Sequence, residues 1–231
     1  MSDMCPSLDA RLGTIYDMLG QVDSVADIGT DHGYLGARLL ADGRANRVQF
    51  LDISEMSLNK ARRLMERLGF LPQSTFAVGD GAQALQYPPD AVVIAGMGGS
   101  TIAHILREGR SRLHPARILM QPNVAIDEVR RALCDIGYRI DDERVVRAAG
   151  RFYVIISAVP GEAAYDEMQL QIGPVLLEQR PEALADYAAF RVRVAQKALN
   201  GARKSQRDVQ QAFVEELRLW QPLMKKEGEQ P

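Results

Sequence analysis

The chain has 231 residues, of which 46% are hydrophobic, and its formal net charge at pH 7 is -2. This length allows one sizeable domain plus an appendage, and no apolar stretch approaches the roughly 18 residues of a membrane span. The first residues, Met-Ser-Asp-Met-Cys-Pro, lack the organisation of a signal peptide, so we expect a cytoplasmic protein with no membrane partner.

Apolar periodicity over residues 8–136 predicts an α/β fold. An amphipathic helix over 8–19 comes first, and strands then alternate with helices. We predict strands near 24–28, 48–52, 75–79, 91–95 and 117–121, and helices near 34–42, 55–68, 100–108 and 124–136. Such alternation is typical of a parallel sheet with helices on both faces.

The remainder of the chain breaks this alternation. Two strands, 138–146 and 152–159, follow one another directly and predict an antiparallel edge hairpin. Pro160-Gly161 then ends the sheet, so we predict one domain over 1–160 and a second over 161–231. From about residue 173 the composition predicts two helices, 174–202 and 205–226, in a coiled-coil-like helical hairpin.

Composition is less informative about partners. Cys5 and Cys134 have no metal-ligand spacing and the three histidines are scattered, so we expect neither a metal site nor a disulfide framework. The slightly negative net charge does not favour nucleic acid as a partner. A local basic face could still supply phosphate contacts.

The loop after the first strand carries a signal for a bound ligand. An apolar run ends in Asp27, and a turn containing Gly29 leads directly into a helical pattern. In open α/β sheets, ligands lie beyond the carboxyl ends of the strands, where glycine lets the backbone approach them. The dinucleotide fingerprint requires glycine where this chain has Asp31 and Tyr34, so an NAD site does not fit.

Two more acids stand at the ends of the next strands. Asp52 lies 25 residues after Asp27, about where an acid meets the ribose hydroxyls of an adenosine cofactor. Asp80 ends the third run and is placed to accept a hydrogen bond from the adenine amine. An aspartate at any one of these places is most often a helix N-cap or turn residue, but three in register favour a cofactor site.

Four motifs together resemble the bacterial tRNA (adenine-22-N1)-methyltransferase family. They are Ala-Asp-Ile-Gly-Thr-Asp-His-Gly-Tyr-Leu at 26–35, Gly-Asp-Gly at 79–81, Ile-Ala-Gly-Met-Gly-Gly-Ser at 94–100 and Leu-Met-Gln-Pro-Asn at 119–123. The resemblance covers nearly the whole chain. It implies a Rossmann-like seven-stranded methyltransferase sheet, S-adenosyl-L-methionine as cofactor and tRNA as substrate. We expect a monomer or a weak homodimer.

The resemblance also implies a set of cofactor-binding residues at the strand ends. They are Asp27, Gly29, Thr30, Gly33, Tyr34, Asp52, Ile53, Asp80, Gly81, Gly96, Met97 and Gly98. Gly96 and Gly98 keep room for cofactor and base, while Met97 either packs on adenine or belongs to the core.

Methyl transfer to adenine N1 is an in-line displacement at a sulfonium carbon, so the protein must mainly place the nucleophile opposite the leaving sulfur. N1 attacks with its own ring lone pair, and the adenine gains positive charge. A carboxylate near the Watson–Crick edge would stabilise that charge. Asp31 is the candidate; it could instead cap the following helix, and His32 competes for the role of base.

The loop after the fourth strand indicates which atom is methylated. Enzymes that alkylate exocyclic amines commonly carry Asn/Asp-Pro-Pro-aromatic there, and Gly96-Met97-Gly98-Gly99 offers no such clamp. This loop also lacks the cysteine used in pyrimidine carbon methylation. Candidate substrate contacts are Arg11, Gln121 and Asn123, although Asn123 could cap the next helix and Arg11 could merely snorkel from its own.

The tail has a basic stretch with no acid between Asp186 and Asp208. We assign tRNA phosphate contacts to Arg191, Arg193, Lys197 and Arg203. A solvated helix face is the ordinary interpretation of such a stretch, but backbone charge dominates RNA affinity. A second basic stretch, 107–117, could contact RNA or complement helix dipoles.

Two other functions stay open. A methyltransferase for a small molecule or a protein would share the sheet, yet the basic tail and the motifs argue against it. A tRNA-binding protein without turnover would not need the cofactor residues Asp27, Gly29, Asp52 and Asp80.

Overall fold

The structure, a computed structural model, describes residues 5–202 and 207–224, and within them the central feature is a seven-stranded sheet. Its strands are β1 Ser24–Ile28, β2 Arg47–Asp52, β3 Ser74–Val78, β4 Ala91–Met97, β5 Arg117–Pro122, β6 Tyr138–Ala148 and β7 Arg151–Pro160. They lie in the order β3-β2-β1-β4-β5-β7-β6. The predicted Rossmann-like sheet is thereby confirmed.

Strand directions also agree with the sequence pattern. Strand β1 pairs in parallel with β2 and β4, β3 with β2, and β5 with β4. Strand β7 runs antiparallel to both β5 and β6. Ala149 and Gly150, with φ of 48° and 78°, turn the chain between β6 and β7. Two consecutive left-handed residues are the usual geometry of a tight hairpin turn.

The sheet unit also contains seven α-helices within the described residues, several of which connect the parallel strands. They are α1 Ala10–Leu19, α2 Tyr34–Ala41, α3 Glu55–Leu68, α4 Gly99–Glu108, α5 Arg110–Leu113, α6 Ile126–Asp135 and α7 Glu167–Ile172. Val25, Phe50 and Val93, on β1, β2 and β4, are fully buried. These strands are near-continuous apolar runs because a parallel sheet is covered on both faces.

The topology brings the carboxyl ends of β1 to β5 to one edge of the sheet. The loops that leave this edge are 29–33, 53–54, 79–80, 98 and 123–125. Except for Arg11, which lies on α1, the predicted site residues of the sheet domain all lie on these loops or at the adjoining ends of strands and helices.

The chain forms two compact units, Met1–Gly173 and Pro174–Pro231, so the boundary lies later than the predicted one after residue 160. The added segment includes α7, which stays with the sheet through buried Arg130. Its guanidinium donates to the carbonyls of residues 170–172 at 2.7 to 3.1 Å. Terminal helix carbonyls need such partners, and composition alone does not reveal them.

The second unit is helical, with α8 Pro174–Gln179, α9 Glu182–Gly201 and α10 Arg207–Trp220. Helices α9 and α10 are antiparallel, because Arg191 pairs with Glu216 and Tyr187 packs on Trp220. The single helix predicted over 174–202 is wrong: Pro181 interrupts it, since proline has no N–H and disfavours the helical conformation of the residue before it. The predicted ends of the last helix, 205–206 and 225–226, lie outside the described residues. In the described part, no helix is long and apolar enough to cross a bilayer.

Candidate active site

The β1–α2 loop is built on two left-handed glycines. Gly29 and Gly33 have φ of 81° and 71°, which L side chains rarely adopt. A Cβ at Gly33 would lie 2.9 Å from Cβ of Ala61, so this glycine also lets α2 begin close to α3. A Cβ at Gly29 would overlap Cε of Met97, whose side chain lies across the loop. Both positions therefore require glycine.

A cavity of about 440 Å³ opens beside this loop. Its lining includes Arg11, Asp27, Asp31, His32 and Tyr34, all of which are predicted site residues. A larger cavity of about 610 Å³ lies at the opposite edge of the sheet, among residues of 107–114 and 136–162. The smaller cavity is the candidate site because ligands of open α/β sheets lie beyond the carboxyl ends of the strands.

Asp27 lines the cavity near the end of β1. Burial raises the pKa of Asp27 to about 6, and a side-chain hydrogen bond from Thr30 opposes the increase. The nearby charge of Asp52 raises the pKa further, while Arg11 lowers it. A desolvated carboxylate of this kind gains most from a cationic group of a ligand.

Asp52 and Asp80 occupy the ends of the next two strands. Oδ1 of Asp52 accepts a hydrogen bond from the backbone N of Ser54 at 2.7 Å, so the turn into α3 fixes this carboxylate. Asp80 is exposed, makes no capping bond, and borders a cavity of about 130 Å³ with Gly81. Ile53 follows Asp52 and is 75% exposed. Acidic acceptors and an apolar side chain thus share this edge.

Hydrogen bonds join the three predicted substrate contacts. Nη1 of Arg11 donates to Oε1 of Gln121 at 2.8 Å, and Nε2 of Gln121 donates to Oδ1 of Asn123 at 3.1 Å. Nδ2 of Asn123 donates to the carbonyl of Gly96 at 2.8 Å. Gln121 is fully buried with both ends of its amide engaged, so the structure contradicts direct substrate contact by Gln121. It holds Arg11 and Asn123 in place instead.

The β4–α4 loop packs tightly against the β5–α6 loop. A Cβ at Gly99 would overlap the carbonyl oxygen of Ala125, whereas one at Gly98 would meet no atom closer than 3.9 Å. Ala125, with φ of 52°, is the N-cap of α6, so the capping alternative for Asn123 is wrong. Gly98 therefore leaves space at the site, and Gly99 closes the packing beneath it.

Four polar side chains meet at the mouth of the cavity. Nζ of Lys60 donates to Oδ1 of Asp31 at 2.7 Å, and Nε2 of His32 lies 3.0 Å from Oδ2 of Asp31. The bond from Lys60 lowers the pKa of Asp31, so this carboxylate is ionised at neutral pH. Gly33 is the N-cap of α2 and no side chain caps this helix, so Asp31 does not cap it. His32 stacks on Tyr34 with 5.0 Å between ring centroids.

Lys60 is the residue of this group that is not predicted from the sequence. It lies on α3, 29 residues beyond Asp31. The sequence carries no signal for it, because spacing along α3 does not distinguish Lys60 from the other cations of that helix. Only the packing of α3 beside the β1–α2 loop brings the two side chains together.

The predicted phosphate contacts of the tail differ in their exposure and in their partners. Arg191 donates twice to Oε1 of Glu216, at 2.9 and 2.6 Å, and its guanidinium lies 5.0 Å from the centroid of the Trp220 ring. This pairing contradicts a free phosphate-binding role for Arg191. Arg193 and Lys197 are exposed, whereas Arg203 lies outside the described residues.

The basic stretch 107–117 is also largely engaged. Arg107 pairs with Asp135, while Arg112 and Arg117 donate to backbone carbonyls. Across the residues that the structure describes, no three His, Cys, Asp or Glu side chains are grouped as ligands for a metal ion.

The strand order and the acids at three strand ends define a methyltransferase of the α/β class. The family model described as a methyltransferase domain matches residues 8–156. Within this class, the chain belongs to the tRNA (adenine(22)-N(1))-methyltransferase family. It is 32% identical over 181 residues to the Bacillus subtilis tRNA (adenine(22)-N(1))-methyltransferase, which covers 75% of this chain and 76% of that protein.

Solved structures agree with the fold. The B. subtilis M1A22 tRNA methyltransferase TrmK has a TM-score of 0.83 and 24% identity, covering 95% of this chain and 99% of that one. The M. capricolum TrmK, in complex with S-adenosyl-homocysteine, has a TM-score of 0.79 and 21% identity, covering 94% and 99%. At these identities the likeness establishes a shared fold.

Proposed function

We propose that this chain transfers a methyl group from S-adenosyl-L-methionine to N1 of adenine 22 in tRNA, as a monomer or weak homodimer. The observation that carries the proposal is the cavity at the strand ends, where Asp27 lies inside and ionised Asp31 lies at the mouth. The named activity of the B. subtilis relative supports the choice of base.

The residues at this edge fit the cofactor's chemistry. The cofactor carries an ammonium and a sulfonium, two ribose hydroxyls and an adenine amine, so it offers positive charge and hydrogen-bond donors. Asp27, Asp52 and Asp80 offer carboxylate acceptors, and exposed Ile53 offers an apolar surface for a ring. Gly29 lines the cavity in a left-handed conformation, where the backbone can approach a ligand closely.

S-adenosyl-L-methionine supplies the methyl group, whose carbon bonds to N1 of the adenine as the carbon–sulfur bond breaks. The ring lone pair is the nucleophile, so no side chain has to remove a proton before attack. Asp31 stabilises the positive charge that develops on the adenine and can accept a proton from its amine afterwards. His32 is the second candidate for that proton.

The sequence of the β4–α4 loop supports N1 as the target. Gly96-Met97-Gly98-Gly99 lacks the Asn/Asp-Pro-Pro-aromatic element with which enzymes commonly hold an exocyclic amine. Nδ2 of Asn123 donates to the carbonyl of Gly96, so one of the two lone pairs of this oxygen is already engaged.

The tail would contribute phosphate contacts from outside the sheet unit. Arg193 and Lys197 are four residues apart on α9, so they share one exposed face. Cations placed on one face can follow neighbouring phosphates, and a second contact surface increases the affinity of the complex.

The direct test uses purified protein, S-adenosyl-L-methionine and an unmodified tRNA transcript. We expect one methyl group per tRNA, identified as 1-methyladenosine by nucleoside mass spectrometry and located at position 22 by fragment mapping. A transcript with guanine at position 22 is the matched control and should stay unmodified. Methylation of another position or base would overturn the proposal.

Cofactor affinity should depend on pH through Asp27. Because burial raises the pKa of Asp27 to about 6, its carboxylate becomes protonated below that pH and loses its attraction for a cationic cofactor. We expect the S-adenosyl-L-methionine affinity to rise with pH, by up to about tenfold per unit below the pKa, and to level off above it. Calorimetry across this range measures the effect.

Two variants identify the titrating group. Asp27→Asn should bind the cofactor more weakly and without this pH dependence, whereas His32→Gln should keep it. A pH dependence that survives in Asp27→Asn would show that another group titrates.

A further inference from the structure

Helix α3 presents a row of cations on its outer face. Lys60, Arg63 and Arg67 follow one another at spacings of three and four residues, so they lie along one side of the helix. All three are exposed. Met56, one turn before Lys60, continues the same side and is 71% exposed. The row spans about 10 Å of helix axis from Lys60 to Arg67.

The two arginines of the row differ from many other arginines of the described residues in their ion pairing. Among the described residues, no carboxylate lies within ion-pair distance of Arg63 or Arg67. Their neighbour Arg62 is different, because its guanidinium lies 4.4 Å from the Phe76 ring centroid. Arg191 and Arg107, from the two basic stretches marked in the sequence, have carboxylate partners.

The row begins at the site itself. Lys60, its first member, holds Asp31 at the mouth of the cavity through a 2.7 Å hydrogen bond. Arg63 and Arg67 then continue along α3, one and two turns beyond Lys60. A polyanion whose reactive base enters the cavity would therefore have adjacent phosphates within reach of these arginines.

We propose that Arg63 and Arg67 bind phosphates of the tRNA strand next to the target adenine, with Lys60 at the head of the row. This inference rests on the proposed function, since it assigns a binding surface to the same substrate. Exposed guanidiniums can form two parallel hydrogen bonds to a phosphate, and release of counterions makes such contacts favourable and salt-dependent.

The test compares tRNA binding by the wild type and by the Arg63→Glu/Arg67→Glu double variant, measured by filter binding from about 50 to about 200 mM salt. The variant should raise the tRNA Kd at least about tenfold and reduce the magnitude of the log Kd against log salt slope by about 1.5, as for two lost phosphate contacts. The Kd for S-adenosyl-L-methionine should be unchanged, which also reports that the domain is folded.

The Arg107→Glu/Arg110→Glu variant is the matched control, because it reverses the same number of exposed arginines at the opposite edge of the sheet. It should leave the tRNA Kd and the salt slope near those of the wild type. If the α3 variant keeps the wild-type tRNA Kd and salt slope, or if the control weakens binding to the same extent, the inference is overturned. A wild type that methylates no tRNA would refute the proposed function instead, so the two failures are distinguishable.

Discussion

Arg130→Ala should lower the free energy of unfolding by about 3 to 5 kcal/mol, the usual cost of breaking a buried ion pair from one side. The Arg130 side chain is fully buried; it bonds Oε1 of Glu143 at 2.9 Å and also serves the carbonyls of residues 170–172. Truncation would deprive buried Glu143 of this ion pair and leave several polar acceptors short of a donor. Equilibrium urea denaturation measures the loss.

The neighbouring residue offers a matched control. Arg131 also pairs with a carboxylate, that of Glu167 at 2.7 Å, but both side chains are substantially exposed. Arg131→Ala should therefore cost no more than about 1 kcal/mol. Equal losses in the two variants would contradict the role assigned to Arg130.

Because Gly173 leaves no room for a Cβ against Glu143, Gly173→Ala should also be destabilising.

The sheet was predictable because its pattern is local. Each parallel strand is a near-continuous apolar run, and Asp27 and Asp52 stand at or next to the ends of β1 and β2, where turns begin. Once the alternation of strands and helices is recognised, chain topology places those ends at one edge. The acids at three strand ends could be grouped from the sequence for this reason.

Side-chain partners were not predictable, because they depend on packing between distant segments. Gln121 looked like a substrate contact at a strand end, yet burial and two amide hydrogen bonds give it a positioning role. Arg191 belongs to an acid-free stretch of sequence, but the antiparallel helix brings Glu216 to it. Charge counted along the chain cannot reveal a partner that is 25 residues away.

The α3 row is not predicted from the sequence either, because the absence of carboxylate partners also depends on packing between distant segments. Glu55 and Glu66 on the same helix offset two of its four cations, so the linear charge pattern does not single out any one of them. In the folded helix, Asp31 pairs with Lys60, whereas the described residues provide no carboxylate within ion-pair distance of Arg63 or Arg67. Helical periodicity applied to charged residues, rather than only to apolar ones, is the signal that would have found them.

Asp31→Ala should slow single-turnover methylation of tRNA by about 100-fold, which is typical for loss of one group that stabilises transition-state charge. Lys60 keeps the Asp31 carboxylate ionised at the mouth of the cavity, where the adenine acquires its positive charge. The Kd for S-adenosyl-L-methionine should change much less, because this interaction matters mainly in the transition state. Rapid-quench kinetics and calorimetry measure the two quantities separately.

Three further variants test whether the slower methylation of Asp31→Ala is due to the lost charge of Asp31. Asp31→Asn retains the side-chain volume and should be nearly as slow as Asp31→Ala, which assigns the effect to charge. Asp23 is an exposed acid at the opposite edge of the sheet, where it contacts Asn46 and Arg47. The Asp23→Asn variant should react at the wild-type rate. If Asp31→Ala keeps its activity while His32→Ala loses it, the imidazole is the group that assists methyl transfer, and its 3.0 Å contact with Asp31 is not required.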